Sequence, residues 1–206
     1  MILTELQYFP PISFVSTLFK ESYILFDIYE PYRKMSFRNR CMIAGAHDII
    51  SLSIPLKNGR NQNLAMKDVL ISNQEKWQAR HFKSIQSAYN KSPFFEYYRH
   101  ELAVIYQQRF DGLADWNFSC LNWLKEKMDW PAEIRITEKA IPFQADGYND
   151  LRNLALPKNH GQWNPVKYRQ VFEERTGFIP NLSILDLLFN TGPGAGELLR
   201  NSSVVV

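Results

Sequence analysis

An α/β domain, with helices packed on a small mixed sheet, is the fold class this chain predicts: strands concentrate in the N-terminal half, and the middle and C-terminal parts are helical. Three observations carry it. "ILTEL" (2–6), "ISFVSTLF" (12–19) and "YILFDIY" (23–29) run strand, helix, strand, the opening order of an α/β layout. From Asn73 the apolar pattern changes from alternation to helical spacing and keeps it for three segments. With 14 Phe, 10 Tyr and 5 Trp and only 22% charged residues, the 206-residue chain can bury a sizeable core as one domain, 1–206.

Each element has its own reason. The first strand leads into "QYFPP", whose proline pair opens the helix behind it. "YILFDIY" is β-branched, aromatic and short, as a buried strand is. "IISLSIPL" (49–56) alternates and stops at "KNGR", a turn of the Asn-Gly kind, and "DVLIS" (68–72) is expected as its partner strand. Amphipathic helices follow over 73–90, 92–110 and 112–128, the second with Ser92 as N-cap and Pro93 at its first position. "EIRITE" (133–138) returns to extended structure. The stretch 142–170, rich in Asn, Pro, Gly and Gln, reads as a long irregular surface segment, a kind that often carries function. A last short helix lies in "GFIPNLSILDLLFNTGPG" (177–194), with Gly192 and Pro193 as its stop.

The formal charge of +3 is mild; it permits small anionic ligands and argues against a nucleic-acid partner. Cys41 and Cys120 have no paired spacing, so neither a disulfide framework nor a metal site is expected. The N-terminus lacks a basic leader before a long apolar run, and no segment reaches the ~18–20 apolar residues of a membrane span. A cytoplasmic location is expected. No phosphate-cradling glycine loop, His-Glu-x-x-His or nucleophile elbow is present, and nothing selects a cofactor.

Four groups of residues are candidates for chemistry. On the last helix Ser183, Asp186 and Asn190 fall within about 60° of one another, a narrow polar stripe on an otherwise apolar rod. Such a stripe either ties the helix to neighbouring backbone or lines a cleft in which Asp186 binds an amine. "EPYRKMSFRNRC" (30–41) carries Arg33, Lys34, Arg38 and Arg40 among Tyr32, Phe37 and Asn39. If the second half is extended, Arg38 and Arg40 share a face suited to gripping phosphate, unless the run is simply a solvated face. His81 lies mid-arc among Trp77, Ile85, Ala88 and Tyr89, as either a core histidine or the best-placed general base; His47 and His160 fall in loops. Asp27 and Glu30 flank the end of a strand, where α/β folds place ligands, with Arg33 and Lys34 as ordinary salt-bridge partners in the alternative. Cys41 beside His81 as a nucleophile pair has no local support.

The stretches "LQYFPPISFVSTL", "KMSFRNRCMI" (34–43), "SIPLKNG" (53–59), "W...H...I...Y.KSPFF" (77–95) and "FIPNLSILDLLFNTGP" (178–193) together resemble the WbqC-like family in order and spacing. The matching positions include Tyr8, Pro10, Lys34, Asn39, Arg40, Trp77, Tyr89, Pro93, Phe95, Ser183, Asp186 and Asn190. Many members read Asn-Arg-Asn where this chain has Asn39, Arg40 and Cys41, which argues against Cys41 as an essential nucleophile. The resemblance implies a transferase of surface-polysaccharide (O-antigen-type) biosynthesis, moving a glycyl or other aminoacyl group onto an amino sugar, and brings no assigned catalytic residues. Joined to the residue reading, it gives a working site. His81 and Asp186 are catalytic, as proton acceptor and amine-positioning group. Lys34, Arg38, Asn39, Arg40, Ser183 and Asn190 bind a nucleotide-linked sugar, Arg38 and Arg40 at its diphosphate, and Asn39 or Asn190 supplies an oxyanion donor. The alternative is a non-catalytic partner in a polysaccharide assembly complex, docking through the aromatic helices of 92–128.

Overall fold

The computed structural model describes residues 1–159 and 162–202. Its strands are β1 (Ile2–Glu5), β2 (Tyr23–Asp27), β3 (Arg40–Ala44), β4 (Ile49–Ser53), β5 (Glu133–Ile136) and β6 (Asn149–Asp150). Its α-helices are α1 (Ile12–Phe19), α2 (Trp77–Tyr89), α3 (Phe95–Gln107), α4 (Leu113–Lys127), α5 (Glu173–Thr176), α6 (Ile184–Thr191) and α7 (Ala195–Asn201). No helix among the described residues is long and apolar enough to cross a membrane.

The α/β class holds, with the strands divided between two sheets. Four run parallel in the order β5-β2-β1-β6, and β3 and β4 form a separate antiparallel hairpin. All four residues of β1 are buried, as befits a central parallel strand covered on both faces. The α1 crossover joins β1 to β2, and seven of its eight residues are buried because α6 and α7 cover its outer side.

The expected partner of 49–56 was 68–72, and this is corrected: β4 pairs with β3 across the short loop 45–48. Closing so short a loop costs less chain entropy than closing the longer connection 57–67, about (3/2)RT per natural-log unit of length. Residues 68–72 make only isolated bridges, Leu56 to Ile71 and Leu70 to Gly112. Ser92 does not cap α3; the Phe94 N–H donates to the Phe189 carbonyl at 3.0 Å, and the helix begins after it at Phe95. The irregular stretch 142–170 contains β6, which docks on the open edge of β1 through Ile2–Asn149 and Leu3–Asp150. Beyond the Gly192-Pro193 stop the chain makes one 3₁₀ turn and continues as α7.

The helix α6 is the hub of the packing, in contact with α1, α3, α7 and β3. Its entry is stapled to two distant segments. The Ser183 N–H donates to the Met42 carbonyl at 2.6 Å, the Ile184 N–H to Pro10 at 2.8 Å, and the Ile12 N–H returns to Leu182 at 3.0 Å. Phe189 receives the rings of Tyr89 and Phe95 edge-on, each with centroids 5.1 Å away.

Candidate functional site

Strand register sets the site. Pairing Glu5 with Asp27 and Phe26 with Ile136 brings the carboxyl ends of β1, β2 and β5 level. In a parallel sheet, directly paired residues point to the same side, so Glu5 and Asp27 share a face at the end where α/β folds bind ligands. Both are fully buried. Asp27 Oδ1 accepts from the Thr137 hydroxyl at 3.1 Å, just past β5, and from the Tyr29 N–H at 2.9 Å. From the other edge, β6 delivers Arg152: its guanidinium donates to Asp27 Oδ2 at 2.6 Å and to Asp150 at 2.6 Å. The Asn153 backbone, at φ 64°, turns its N–H onto Glu5 Oε2 at 2.8 Å. Asparagine tolerates that left-handed conformation better than most side chains.

The segment after β2 adds Glu30, which takes a bidentate pair of bonds from Arg38, Nε to Oε1 at 2.8 Å and Nη2 to Oε2 at 2.6 Å. Arg38 Nη2 also donates to the Asn153 side chain at 3.1 Å. Four carboxylates (Glu5, Asp27, Glu30, Asp150) thus surround two guanidiniums (Arg38, Arg152) out of water. The imbalance has a consequence at the group nearest solvent. Burial, with Glu5 and Asp27 adding to it, raises the Glu30 carboxyl to about 7 despite Arg38. A carboxyl near neutrality, at the edge of a cavity, is suited to proton transfer.

Above this layer opens a cleft of about 910 Å³, within the ~300–1,000 Å³ of small-molecule sites. Asp27, Glu30 and Arg152 reach its floor, and Arg33, Lys34 and Arg60 bring positive charge to its walls. Lys34 Nζ bridges two wall segments by donating to Asn61 at 3.1 Å. Tyr29, Tyr32 and Phe143 supply aromatic surface. No group of His, Cys, Asp and Glu among the described residues is arranged to hold a metal ion.

The residues expected from sequence divide sharply. Lys34 lines the cleft. Arg38 and Asn39 lie behind it as supports. Arg38 is fully buried and engaged with Glu30, so it is corrected from phosphate ligand to structural cation, its charge upheld against burial by Glu5 and Glu30. Asn39 donates to the Ile54 carbonyl at 3.0 Å and accepts from Tyr32 at 3.0 Å, which occupies the amide expected to face an oxyanion. Arg40, half-buried at the start of β3, is close enough to Tyr32 to act on its hydroxyl, but does not line the cleft.

His81, Asp186, Ser183 and Asn190 do not line it either. Burial lowers the His81 imidazole to about 4, so it is neutral at pH 7. It is hydrogen-bonded to the Ser53 backbone, and Nδ1 lies 3.0 Å from the Tyr8 hydroxyl. Its partners assign the tautomer: N–H toward the carbonyl, Nδ1 accepting from Tyr8. Asp186 accepts from the Tyr168 hydroxyl; burial raises its carboxyl to about 6, while Tyr168, Tyr89 and Gln170 work to lower it. Ser183 caps α6 by accepting from the Leu185 N–H at 3.3 Å, and its hydroxyl donates to the Phe9 carbonyl at 2.9 Å. Asn190 bonds back to the Asp186 carbonyl at 2.7 Å. Of the two readings of this stripe, the geometry is that of the first, a network tying the helix to its neighbours. Cys41 is buried and its thiol is pushed up by burial, the opposite of an activated nucleophile. His160 lies outside the described residues.

Sequence reasoning located Asp27 and Glu30 at a strand end but gave them Arg33 and Lys34 as partners; Arg152 and Arg38 take those places. It missed Arg152, Asn153, Phe143 and Arg60 altogether. The signal available was the polar richness of 142–170 and of "NGRNQN" (58–63), which marks a loop without saying which side chain turns inward.

A family model described as the WbqC-like protein family matches residues 6–161. An uncharacterised protein of Mycobacterium tuberculosis is 26% identical over 218 residues, covering 94% of this chain and 91% of its own length. No solved structure matches.

Proposed function

The chain belongs to the WbqC-like protein family, and from that premise we propose that it is a transferase of surface-polysaccharide assembly. It binds a nucleotide-linked amino sugar in the cleft and moves a glycyl or other aminoacyl group onto the sugar's amine. The observation that carries this reading is the polarity of the cleft: a floor with excess carboxylate beneath walls bearing Arg33, Lys34 and Arg60. A ligand with an amine at one end and phosphates at the other matches both.

In this reading Glu30 takes the part that sequence gave to His81. The amine nitrogen forms its bond to the acyl carbon, the bond to the acyl leaving group breaks, and the amine's proton passes to the Glu30 carboxylate. Arg38 orients that carboxylate through its two bonds. Arg33, Lys34 and Arg60 hold the diphosphate. The docking-partner alternative loses its main support, because Phe95, Tyr98, Tyr106, Trp116 and Trp123 of α3 and α4 are buried in the core; Tyr97 is the exposed large aromatic there among the described residues.

The test is a thermal-shift screen against UDP-, dTDP- and GDP-linked sugars, with and without an amino group, alongside Lys34→Ala, Arg60→Ala and Glu30→Gln. A ligand at 100 times its Kd adds about 2.7 kcal/mol. Stabilisation by amino sugars that weakens in Lys34→Ala and Arg60→Ala supports the assignment, as does Glu30→Gln binding the ligand but failing to transfer. No shift with any nucleotide sugar at millimolar concentration removes it.

A further inference from the structure

Phe143 stands at the lip of the cleft with 63% of its surface exposed. An exposed phenyl ring on a slack loop would be unremarkable, but this loop is pinned on both sides. Arg152 donates to the carbonyls of Ile141 at 2.9 Å and Pro142 at 2.8 Å. The Gln144 N–H, in a residue at φ 55°, donates to Asp150 Oδ2 at 2.9 Å. The Arg152 guanidinium also lies 5.7 Å from the ring centroid. The same buried ion pairs that form the cleft floor therefore hold an apolar ring largely in water, where the Arg152 contact is all its own fold draws from it beyond partial burial. Tyr29 lines the same cleft, and Asn61, Gln62 and Asn63 bring side-chain amides to it. Asn61 accepts from Lys34 and Gln62 donates to the Gly59 carbonyl at 2.7 Å, which leaves the Asn61 N–H groups and the Asn63 amide to meet a ligand's edge.

We propose that Phe143 is a nucleobase platform: the base of the ligand stacks on its ring, its edge meets the amides of Asn61 and Asn63, and its phosphates run to Arg33, Lys34 and Arg60. This deepens the reading above and rests on it. Phe143 is a specificity-determining residue, in contact with ligand but not with the reacting atoms. Stacking of a base on an aromatic side chain is worth about 1–3 kcal/mol, which is a factor of about 5–150 in Kd.

The experiment is calorimetric titration of the wild type, Phe143→Ala and Phe143→Tyr with UDP, dTDP, GDP and inorganic pyrophosphate. At least one nucleoside diphosphate is expected to bind more tightly than pyrophosphate. Phe143→Ala is expected to lose about 5- to 150-fold for that nucleotide and nothing for pyrophosphate, while Phe143→Tyr retains affinity. The side chain is exposed, so these variants keep the fold, and circular dichroism verifies it. Nucleotide affinity unchanged in Phe143→Ala, or equal to that of pyrophosphate, overturns the platform and leaves the cationic walls standing. If neither nucleotides nor pyrophosphate bind, the platform and the parent reading fall together.

Discussion

Asp186 sits in an apolar helix because the tyrosines around it need an acceptor as much as it needs donors. Tyr168 comes from the irregular stretch and Tyr89 from α2; with their hydroxyls near the Asp186 carboxyl, the aspartate ties three distant segments together. Tyr89 is itself held by the Ala44 N–H at 3.1 Å. An asparagine of the same shape still accepts from Tyr168, but its NH₂ puts donors where the carboxyl offered an acceptor to Tyr89 and Gln170. Asp186→Asn is therefore expected to cost about 1–2 kcal/mol in chemical denaturation and to leave ligand affinity at the cleft unchanged. Intact folding with lost ligand binding would return Asp186 to the functional site. The residue also shows where sequence reading stops: helical angles put Ser183, Asp186 and Asn190 on one stripe, but which neighbours that stripe faces depends on packing against segments from 18 to 174 residues away.

At the scale of elements, the resemblance motifs turn out to be the parts that meet on α6. "QYFPP" and "RCMI" accept the N–H groups at its entry, and "SPFF" packs where it ends. Gly192 belongs to this junction. Its φ is 57°, and a Cβ there would come within 2.4 Å of the Phe94 ring. An L-residue at positive φ costs roughly 1–2 kcal/mol, and overpacking adds typically ~1–3, so Gly192→Ala is expected to lose about 2–5 kcal/mol of stability. A loss below ~0.5 kcal/mol would show that Phe94 can step aside. Elements set by local pattern, such as β1, α1, β2 and the three long helices, were readable to within a few residues. The two-residue β6 was not, because its pairing with β1 comes from the sheet edge it covers rather than from any alternation of its own. The site followed the same rule. Asp27 and Glu30 could be found beside a recognisable strand, but Arg152 and Phe143 depend on where β6 docks.

Over the whole molecule, three buried titratable groups give the fold a pH dependence whose sign can be worked out. Glu30 at about 7 and Asp186 at about 6 lie above ordinary carboxylates, so between those values and about 4 the native state holds protons that the unfolded chain has released. Their effect is a stability that rises as pH falls through 7 and 6. His81 at about 4 acts the other way: below about 6.5 the unfolded chain takes up a proton that the native core refuses. Between pH 6.5 and about 7.5 the carboxyls dominate, and each can change stability by at most about 1.4 kcal/mol per pH unit. Towards pH ~8.5 the buried thiols of Cys41 and Cys120, raised by burial, begin to act in the same direction. Urea denaturation is therefore expected to show the protein losing stability from pH 6.5 to about 7.5, where Glu30 finishes releasing its proton, and to level off beyond that until the thiols begin to act. Glu30→Gln should flatten that slope even though it lowers stability overall by leaving Arg38 without its carboxylate. Asp186→Asn should change the profile mainly below pH 7. If the slope above pH 6.5 survives in Glu30→Gln, the titrating group at the cleft is another one, and Glu30 loses its claim to the proton-transfer role along with its part in the profile. If the slope vanishes there and persists in Asp186→Asn, Glu30 is the carboxyl that titrates near neutrality, which the proton-accepting role proposed for it requires.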